Sequence, residues 1–241
     1  MNGEEIVKEM AARYLSARSY QDTGVVQTVT SAKVPEVEQV NSFKTFFVRP
    51  NKLRFEWEEA RSGDTDFNIL WSDGKDTFSY DVFPWVSKNE DLELGIAGAT
   101  GISRGSSHTI PTLLMSELSG FRLTEMDRLS LLREEQFEGE DCFVVQGFHP
   151  FGFPIEMWIS KNDFLLRKSR DQNHDGYWQE EIRRGVRING DIAAEVFEYA
   201  PPSVTERIFK GMFRCLSPVL VPVAIALFLV AMMLRTIRKT S

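Results

Sequence analysis

The sequence is poor in cysteine and histidine, with two cysteines and three histidines among 241 residues. Cys142 lies in one apolar stretch and Cys215 at the boundary of another, so no disulfide bond between them is expected. The sequence contains neither a Cys-x-x-Cys motif nor a Cys/His cluster, and its histidines have no companions at metal-ligand spacing. A structural zinc site is therefore excluded, and the residues predict no metal and no cofactor.

Positive charge is also scarce in most of the chain. The net charge is −7, and residues 207–241 contribute +6 without a single acidic residue, so residues 1–206 carry −13. Nucleic-acid phosphates require a basic binding face, which an acidic domain lacks. The composition therefore excludes nucleic acid as a partner, whereas the basic C-terminal segment suits anionic lipid headgroups.

The sequence lacks a recognisable signal peptide at its start. MNGEEIVKEM has neither the basic beginning nor the apolar core of such a peptide. Two alternatives remain open: either an export signal is missing from this sequence, or the domain stays in the cytoplasm with a tail anchor. Basic residues lie on both sides of the only long apolar run, so the positive-inside rule does not decide between them. We expect the domain on the periplasmic side.

One long apolar run, residues 215–234, contains twenty consecutive uncharged residues. A helix of that length spans roughly 30 Å, the hydrocarbon thickness of a bilayer, whereas buried helices of soluble proteins are rarely apolar for so long. The sequence therefore predicts a single transmembrane helix. We expect a soluble domain over 1–206, a basic juxtamembrane segment over 207–214 and a basic tail over 235–241.

The soluble domain shows mainly strand periodicity. Residues 4–18 have apolar residues at helical spacing and predict a helix, whereas residues 52–58 alternate charged and apolar side chains without a break. That alternation places Leu53, Phe55 and Trp57 on one face of a strand. Short turns such as Ser72-Asp73-Gly74-Lys75 indicate an antiparallel meander, closed or partly closed. Further strands are predicted at residues 67–71, 77–82, 142–147, 155–159, 165–169, 178–184 and 196–199.

One segment departs from the strand pattern. Residues 95–107, GIAGATGISRGSS, are small and predict a mobile loop, and residues 108–115 predict a short apolar helix with a proline near its start. A loop and an apolar helix between strands have the composition of a lid. An ordinary helix packed on a sheet is the equally compatible alternative.

Three motifs resemble catalytic or metal sites but lack parts of them. Ser103 lies in a G-x-S-x-G match that no strand precedes, although histidines follow, so a hydrolase is a remote alternative. Residues 171–176 resemble the start of a calcium loop, but its twelfth position is Ile182, and a polar hairpin turn is expected instead. Paired carboxylates such as Glu180 and Glu181 are predicted to be solvated. We expect that the protein is not an enzyme.

Two turns and the strand between them have a familiar order. FVRPNKLRF occupies residues 47–55, and LWSDGK occupies residues 70–75. An Arg-Pro-Asn turn, an alternating strand and a Ser-Asp-Gly-Lys turn at this spacing resemble the bacterial outer-membrane lipoprotein carrier family, LolA and LolB. Residues 99–114 are similar to the lid-helix region of that family, and residues 196–202 to its closing strand and Pro-Pro exit.

The resemblance implies an α+β fold in which a curved antiparallel sheet forms an incomplete β-barrel. Helices cover its concave face, and a cavity accepts acyl chains; to this the sequence adds the C-terminal transmembrane helix. The family's turn arginine bonds to the lid helices, which implies that Arg49 is a lid latch. In that family the apolar residue four positions after the turn arginine lines the cavity, which implies this role for Leu53. Phe55 and Trp57 lie on the same face of the strand as Leu53, so the same role is expected of them. The implied cavity residues are Leu53, Phe55, Trp57, Leu113 and Leu114.

The predicted function is that of a membrane-anchored protein that binds a lipid or the acyl chain of a lipoprotein. Carriers of this family are soluble and its receptors have an N-terminal lipid, so a C-terminal helix argues against a shuttle. An envelope sensor of the same fold, which binds a membrane-protein partner, is the alternative. The named apolar residues alternatively fill an ordinary core, and Arg49 alternatively pairs with a nearby glutamate.

Overall fold

The computed structural model of the protein describes residues 1–29, 37–61, 64–80, 86–172 and 177–198. Three α-helices lie in these ranges: α1 (Gly3–Ser16), α2 (Leu92–Ile102) and α3 (Ser106–Leu114). Short 3-10 helices cover Leu123–Glu125 and Ala194–Phe197. The strands are β1 (Ser19–Val29), β2 (Val37–Val48), β3 (Lys52–Arg61), β4 (Asp64–Asp73), β5 (Thr77–Tyr80), β6 (Val86–Asn89), β7 (Asp127–Phe137), β8 (Glu140–Phe148), β9 (Pro154–Ser160), β10 (Leu166–Gln172) and β11 (Trp178–Ile188).

The eleven described strands form one curved sheet in the order β6-β5-β4-β3-β2-β1-β11-β10-β9-β8-β7. Two meanders, β1–β6 and β7–β11, meet where β1 pairs with β11 in antiparallel register. Strands β6 and β7 remain as separate edges, so the sheet is not closed. The prediction of an unclosed antiparallel sheet with helices is confirmed. The predicted transmembrane helix lies outside the described residues, and no helix within them is long and apolar enough to cross a membrane.

Helix α1 begins at a capping box. The Asn2 side chain accepts a hydrogen bond from the Glu5 amide at 2.9 Å, and the Glu5 carboxylate accepts one from the Asn2 amide at 2.9 Å. The predicted helical spacing is confirmed, because one face of α1 is buried against the sheet. The buried apolar residues of this face are Ile6, Val7, Met10 and Tyr14.

The loop predicted over residues 95–107 is wrong, because most of it is helical. The Asp91 side chain caps α2 by accepting a hydrogen bond from the Leu94 amide at 2.8 Å. Gly95 faces the sheet so closely that an added Cβ would lie 2.8 Å from a Leu70 methyl carbon. The glycine therefore permits close packing rather than a mobile loop. Gly105, at φ 84°, makes the turn into α3, which is the predicted short helix.

The strand predictions were partly correct. Strands at 52–58, 67–71, 142–147, 155–159 and 178–184 are confirmed and extend further than predicted. The strands predicted at 77–82 and 165–169 correspond to β5 and β10, and residues 81–82 lie outside the described residues. The sequence pattern predicted none of β1, β2, β6 and β7. The strand predicted at 196–199 is wrong within the described residues, since Ala194–Phe197 is a 3-10 helix.

The 3-10 helix at Ala194–Phe197 packs against the face of β3 and β4 that lies away from α1–α3. Its Phe197 side chain is buried, and the Val196 carbonyl accepts a hydrogen bond from the Arg54 guanidinium at 2.9 Å. On the same outer side, Cys142 is a free, buried thiol whose burial raises its pKa to about 11. The outer face is therefore partly covered by the chain's own later residues.

The inner face, defined as the face that packs against α1–α3, contains one buried ion-pair network in its apolar surroundings. The Arg183 guanidinium on β11 is fully buried and pairs with both Asp22 on β1 and Glu181 on β11. It also lies 4.8 Å from the centre of the Phe43 ring. Removing one partner from a buried ion pair leaves an uncompensated charge, which is more costly than a lost surface contact.

Replacing this guanidinium should therefore destabilise the fold. We expect Arg183→Met to lower the free energy of unfolding by about 3–5 kcal/mol, because Asp22 and Glu181 lose their counter-charge. Urea unfolding followed by circular dichroism measures the effect. Arg184→Met is the matched control, since the neighbouring Arg184 side chain is 49% exposed and pairs with Glu138 at the surface. Equal destabilisation by the two variants would contradict the role assigned to the buried network.

Candidate functional site

The apolar face predicted for β3 is present and buried. Leu53, Phe55 and Trp57 alternate with exposed or half-buried residues and are 0%, 0% and 2% exposed. The Phe55 ring centre lies 5.9 Å from that of Phe43 on β2 and 5.6 Å from that of Trp57. These residues therefore form a continuous aromatic and aliphatic surface on the inner face.

The helices supply the opposite wall of this surface. Leu113 and Leu114, near the end of α3, are 2% and 0% exposed and belong to the same apolar cluster as Leu53, Phe55 and Trp57. The structure thus brings all five predicted ligand-binding residues together. These side chains lie in one buried cluster to which apolar side chains of α1 and α3 also belong.

Arg49 joins the ends of two helices. Its Nε donates to the Ala17 carbonyl at 3.0 Å, and its Nη2 donates to the carbonyls of Leu15 at 2.9 Å and Leu114 at 2.8 Å. A longer bond of 3.4 Å runs to the Tyr14 carbonyl. Carbonyls in the last turn of a helix have no partner within the helix, and the helix dipole favours a cation there. One side chain at the β2–β3 turn therefore holds α1 and α3 together over the inner face.

The two turns of the family resemblance are neighbours in space. The Asn51 side chain, in the β2–β3 turn, donates to the Gly74 carbonyl of the β4–β5 turn at 3.1 Å. Asp73 organises the second turn by accepting hydrogen bonds from the amides of Lys75 at 2.8 Å and Asp76 at 2.9 Å, and these donors lower the Asp73 pKa. The predicted turn is confirmed. The contact between the turns positions Arg49 beside the helix ends.

The sequence pattern missed the polar residues of the inner face. Glu181 was predicted to be solvated, but it is 5% exposed and accepts a hydrogen bond from the Thr109 hydroxyl of α3 at 2.8 Å. Tyr20 donates to Asp22 at 2.6 Å; its burial, with the Asp22 carboxylate nearby, raises the Tyr20 pKa well above the usual value. Charged residues occur on both faces of β11, so strand parity alone could not identify the buried ones.

Ser103 does not form a nucleophile elbow. It lies at the C-terminal end of α2, is 1% exposed, and donates to the Ser107 hydroxyl at 3.0 Å. The motif requires a serine presented between a strand and a helix. The remote hydrolase alternative has no geometric support at this residue.

The calcium-like segment lies between two strands. Strands β10 and β11 pair in antiparallel register on either side of residues 173–176, which themselves lie outside the described residues. A hairpin is the arrangement that the sequence predicted, in contrast to the two helices that flank a calcium loop of the EF-hand type. Within the described ranges, no group of His, Cys, Asp and Glu side chains is placed to hold a metal ion.

The known proteins that are similar to this chain are solved structures. No family model and no curated protein matches the sequence. The chain is similar to LprF from Mycobacterium bovis, at 10% identity and a TM-score of 0.47 over 83% of this chain and 97% of that one. It is also similar to a LolA superfamily protein from Nitrosomonas europaea, at 10% identity and a TM-score of 0.33 over 82% and 97%. A third similarity is to the MucA/MucB complex of Pseudomonas aeruginosa, at 11% identity and a TM-score of 0.45 over 82% of this chain and 61% of that one. All three identities are below 25%, and all three TM-scores are below 0.5.

Proposed function

We propose that this protein is a membrane-anchored lipid- or lipoprotein-binding protein, not an enzyme. In the proposal, an acyl chain lies between the inner face of the sheet and α3. Leu53, Phe55 and Trp57 form one wall of the acyl site, and Leu113 and Leu114 form the other. Arg49 acts as the lid latch.

The observation that carries this proposal is the position of Arg49. Its guanidinium bonds the ends of α1 and α3 beside the apolar cluster that contains Leu53, Leu113 and Leu114. An arginine that only served an ion pair would need a carboxylate, whereas these bonds all go to main-chain carbonyls. These hydrogen bonds lie at one end of the short helix α3, and Thr109 bonds to Glu181 further along it, so release of α3 would break both sets of bonds.

The driving force for binding would be burial of the acyl chain. Each methylene group removed from water contributes about 0.8 kcal/mol. In the closed packing, Leu113 and Leu114 bury the same surface that a ligand would bury. Displacement of α3 therefore exchanges one apolar contact for another, and the exchange needs little net free energy. The left-handed Gly105 between α2 and α3 is a suitable hinge.

Membrane attachment is part of the proposal and rests on the sequence. Residues 215–234 have the length and composition of a single transmembrane helix. We propose that the domain lies on the periplasmic side, where its own bilayer supplies the lipid. A tethered domain of this kind would handle lipids beside its membrane rather than cross an aqueous space.

A photoreactive fatty acid tests where the acyl chain binds. We expect a palmitate with a diazirine in its chain, added to the full-length protein in detergent micelles, to label β3 and α3. The apolar walls at Leu53, Phe55, Leu113 and Leu114 are the sites where a buried acyl chain would lie. Mass spectrometry of proteolytic peptides locates the label, and an excess of plain palmitate should suppress it.

Two other outcomes would decide against acyl binding. Labelling confined to residues 215–234, and unaffected by competing palmitate, would mean that the reagent only partitions into the micelle around the anchor. Purification of the full-length protein with one stoichiometric membrane protein and no lipid would favour the envelope-sensor alternative.

Loss of the latch should loosen the helices. We expect Arg49→Ala to lower the free energy of unfolding by about 1–3 kcal/mol, because several helix-end carbonyls lose a charged donor. Hydrogen exchange should accelerate in α3 and in the last turn of α1, and palmitate labelling should become faster. Hydrogen exchange with mass spectrometry measures the first effect.

Arg13→Ala is the matched control for the latch. Arg13 lies on the exposed side of α1 and pairs with Glu9 at 2.9 Å, an i,i+4 contact that contributes little to stability. The Arg13→Ala substitution removes one positive charge from the surface of α1 and leaves the Arg49 hydrogen bonds in place. If both variants changed exchange in α3 equally, the latch role would be wrong.

A further inference from the structure

A cavity of about 190 Å³ with both apolar and polar lining lies on the inner face, between α3 and the strands β9–β11. It is separate from the five residues proposed for acyl binding, none of which lines it. Its lining combines hydroxyl, amide, carboxylate and aromatic groups. The lining residues are Thr100, Gly105, His108, Thr109, Thr112, Phe121, Leu123, His149, Ile155, Ser169, Asp171, Gln179 and Glu181.

The hydrogen-bond donors of this lining are largely used within the protein. Thr109 donates to Glu181 at 2.8 Å, Thr112 to the His108 carbonyl at 3.1 Å, and Thr100 to the Ile96 carbonyl at 2.7 Å. The Gln179 side-chain amide donates to the Arg104 carbonyl at 2.8 Å. The lone pairs of these hydroxyl groups and of the Gln179 amide oxygen remain available to accept hydrogen bonds. The cavity therefore offers acceptors, and a complementary ligand must bring donors.

The charge of the lining also favours a cation. Asp171 and Glu181 occupy diagonal positions on β10 and β11, since Ser169 pairs with Glu181 and Asp171 with Gln179. The buried Arg183 guanidinium pairs with Asp22 and Glu181, and no ion pair links it to Asp171 among the described residues. The Arg104 side chain points away to the Thr28 hydroxyl at 2.9 Å. Asp171 thus has no cationic partner among the residues that line the cavity.

An aromatic pair completes the lining. The rings of Phe121 and His149 stack with centres 4.2 Å apart and planes 20° apart. Burial lowers the His149 pKa, so this ring is neutral at neutral pH and does not repel a cation. A cation against aromatic rings gains further electrostatic attraction.

We propose that this cavity binds a primary ammonium group, held by the Asp171 carboxylate, the acceptors around it and the Phe121–His149 pair. An ammonium group has three donors and one positive charge, which match the Asp171 carboxylate and the hydrogen-bond acceptors beside it. The group comes either from the ethanolamine headgroup of a lipid or from a free small amine. The proposal does not depend on acyl binding, because the acyl residues lie elsewhere on the inner face.

Calorimetric titration of ethanolamine into the full-length protein in non-ionic detergent tests the proposal. We expect saturable binding at neutral pH that Asp171→Asn weakens by about tenfold or more, because a charged hydrogen bond is lost. Asp191→Asn, at an exposed aspartate, should leave binding unchanged. Ser169→Ala should weaken binding to a smaller extent and serves as a second variant if Asp171→Asn does not fold.

The pH dependence provides an independent check. Burial raises the Asp171 pKa to about 6, so this carboxylate takes up a proton as the pH falls from neutral to about 5. We expect ethanolamine binding to weaken over that range in the wild type and to be less pH-dependent in Asp171→Asn. His108, His149 and Glu181 also line this cavity. Any pH dependence of ethanolamine binding that remains in Asp171→Asn is therefore assigned to these three groups.

Nanodiscs distinguish the two sources of the amine. Protection of Asp171-containing peptides from hydrogen exchange in phosphatidylethanolamine discs, but not in phosphatidylglycerol discs, would assign a lipid headgroup. Ethanolamine binding without that lipid effect would assign a free amine.

Two results would overturn the proposal. The first is no ethanolamine binding together with no difference between the discs, and the second is equal ethanolamine binding by the wild type and Asp171→Asn. None of these outcomes changes the expected palmitate labelling of β3 and α3. A negative result for ethanolamine binding would therefore not count against acyl binding, which the labelling experiment tests separately.

Discussion

One guanidinium group, that of Arg49, joins the ends of two helices over the inner face of the sheet. Arg49 donates to carbonyls of both α1 and α3, and these carbonyls have no partner within their own helices. The apolar contact beneath the helices is non-directional, and hydrogen bonds such as that from Thr109 on α3 to Glu181 on β11 add direction. The position of the helices therefore depends on a few directional contacts, of which Arg49 makes those at the helix ends.

The inner face is not uniformly apolar, and this affects what it can bind. The half formed by β2–β4 carries the aromatic and aliphatic residues around Phe55, whereas β1, β11 and β10 carry Asp22, Arg183, Glu181 and Asp171. Burial of such charges is costly unless they are paired. Arg183 satisfies two of the carboxylates, and Asp171 faces a cavity. An amphiphile would meet apolar contacts on one half of the face and acceptors on the other.

Local patterns in the sequence predicted some elements well and others poorly. The alternation at residues 52–58 predicted β3 correctly, because one face of that strand is buried and the other is wet. Strand β2 was missed because its buried positions include Asn41 and Thr45, which break the apolar alternation. The glycines within α2 predict a loop when the local sequence is considered without its packing partners, because glycine favours flexible segments. Packing decides otherwise, since Gly95 lets the helix approach Leu70.

The sequence by itself determined the antiparallel, strand-rich fold, the acidic domain followed by a long apolar segment, and the parity that groups Leu53, Phe55 and Trp57. These features depend on local periodicity and composition, which short-range physics controls. Only the tertiary structure decided which charged residues are buried and which carbonyls Arg49 reaches. It also decided that Asp171 and Glu181 share a cavity with Phe121 and His149. Those contacts join residues that are distant in the chain, and no local pattern encodes the distance between them.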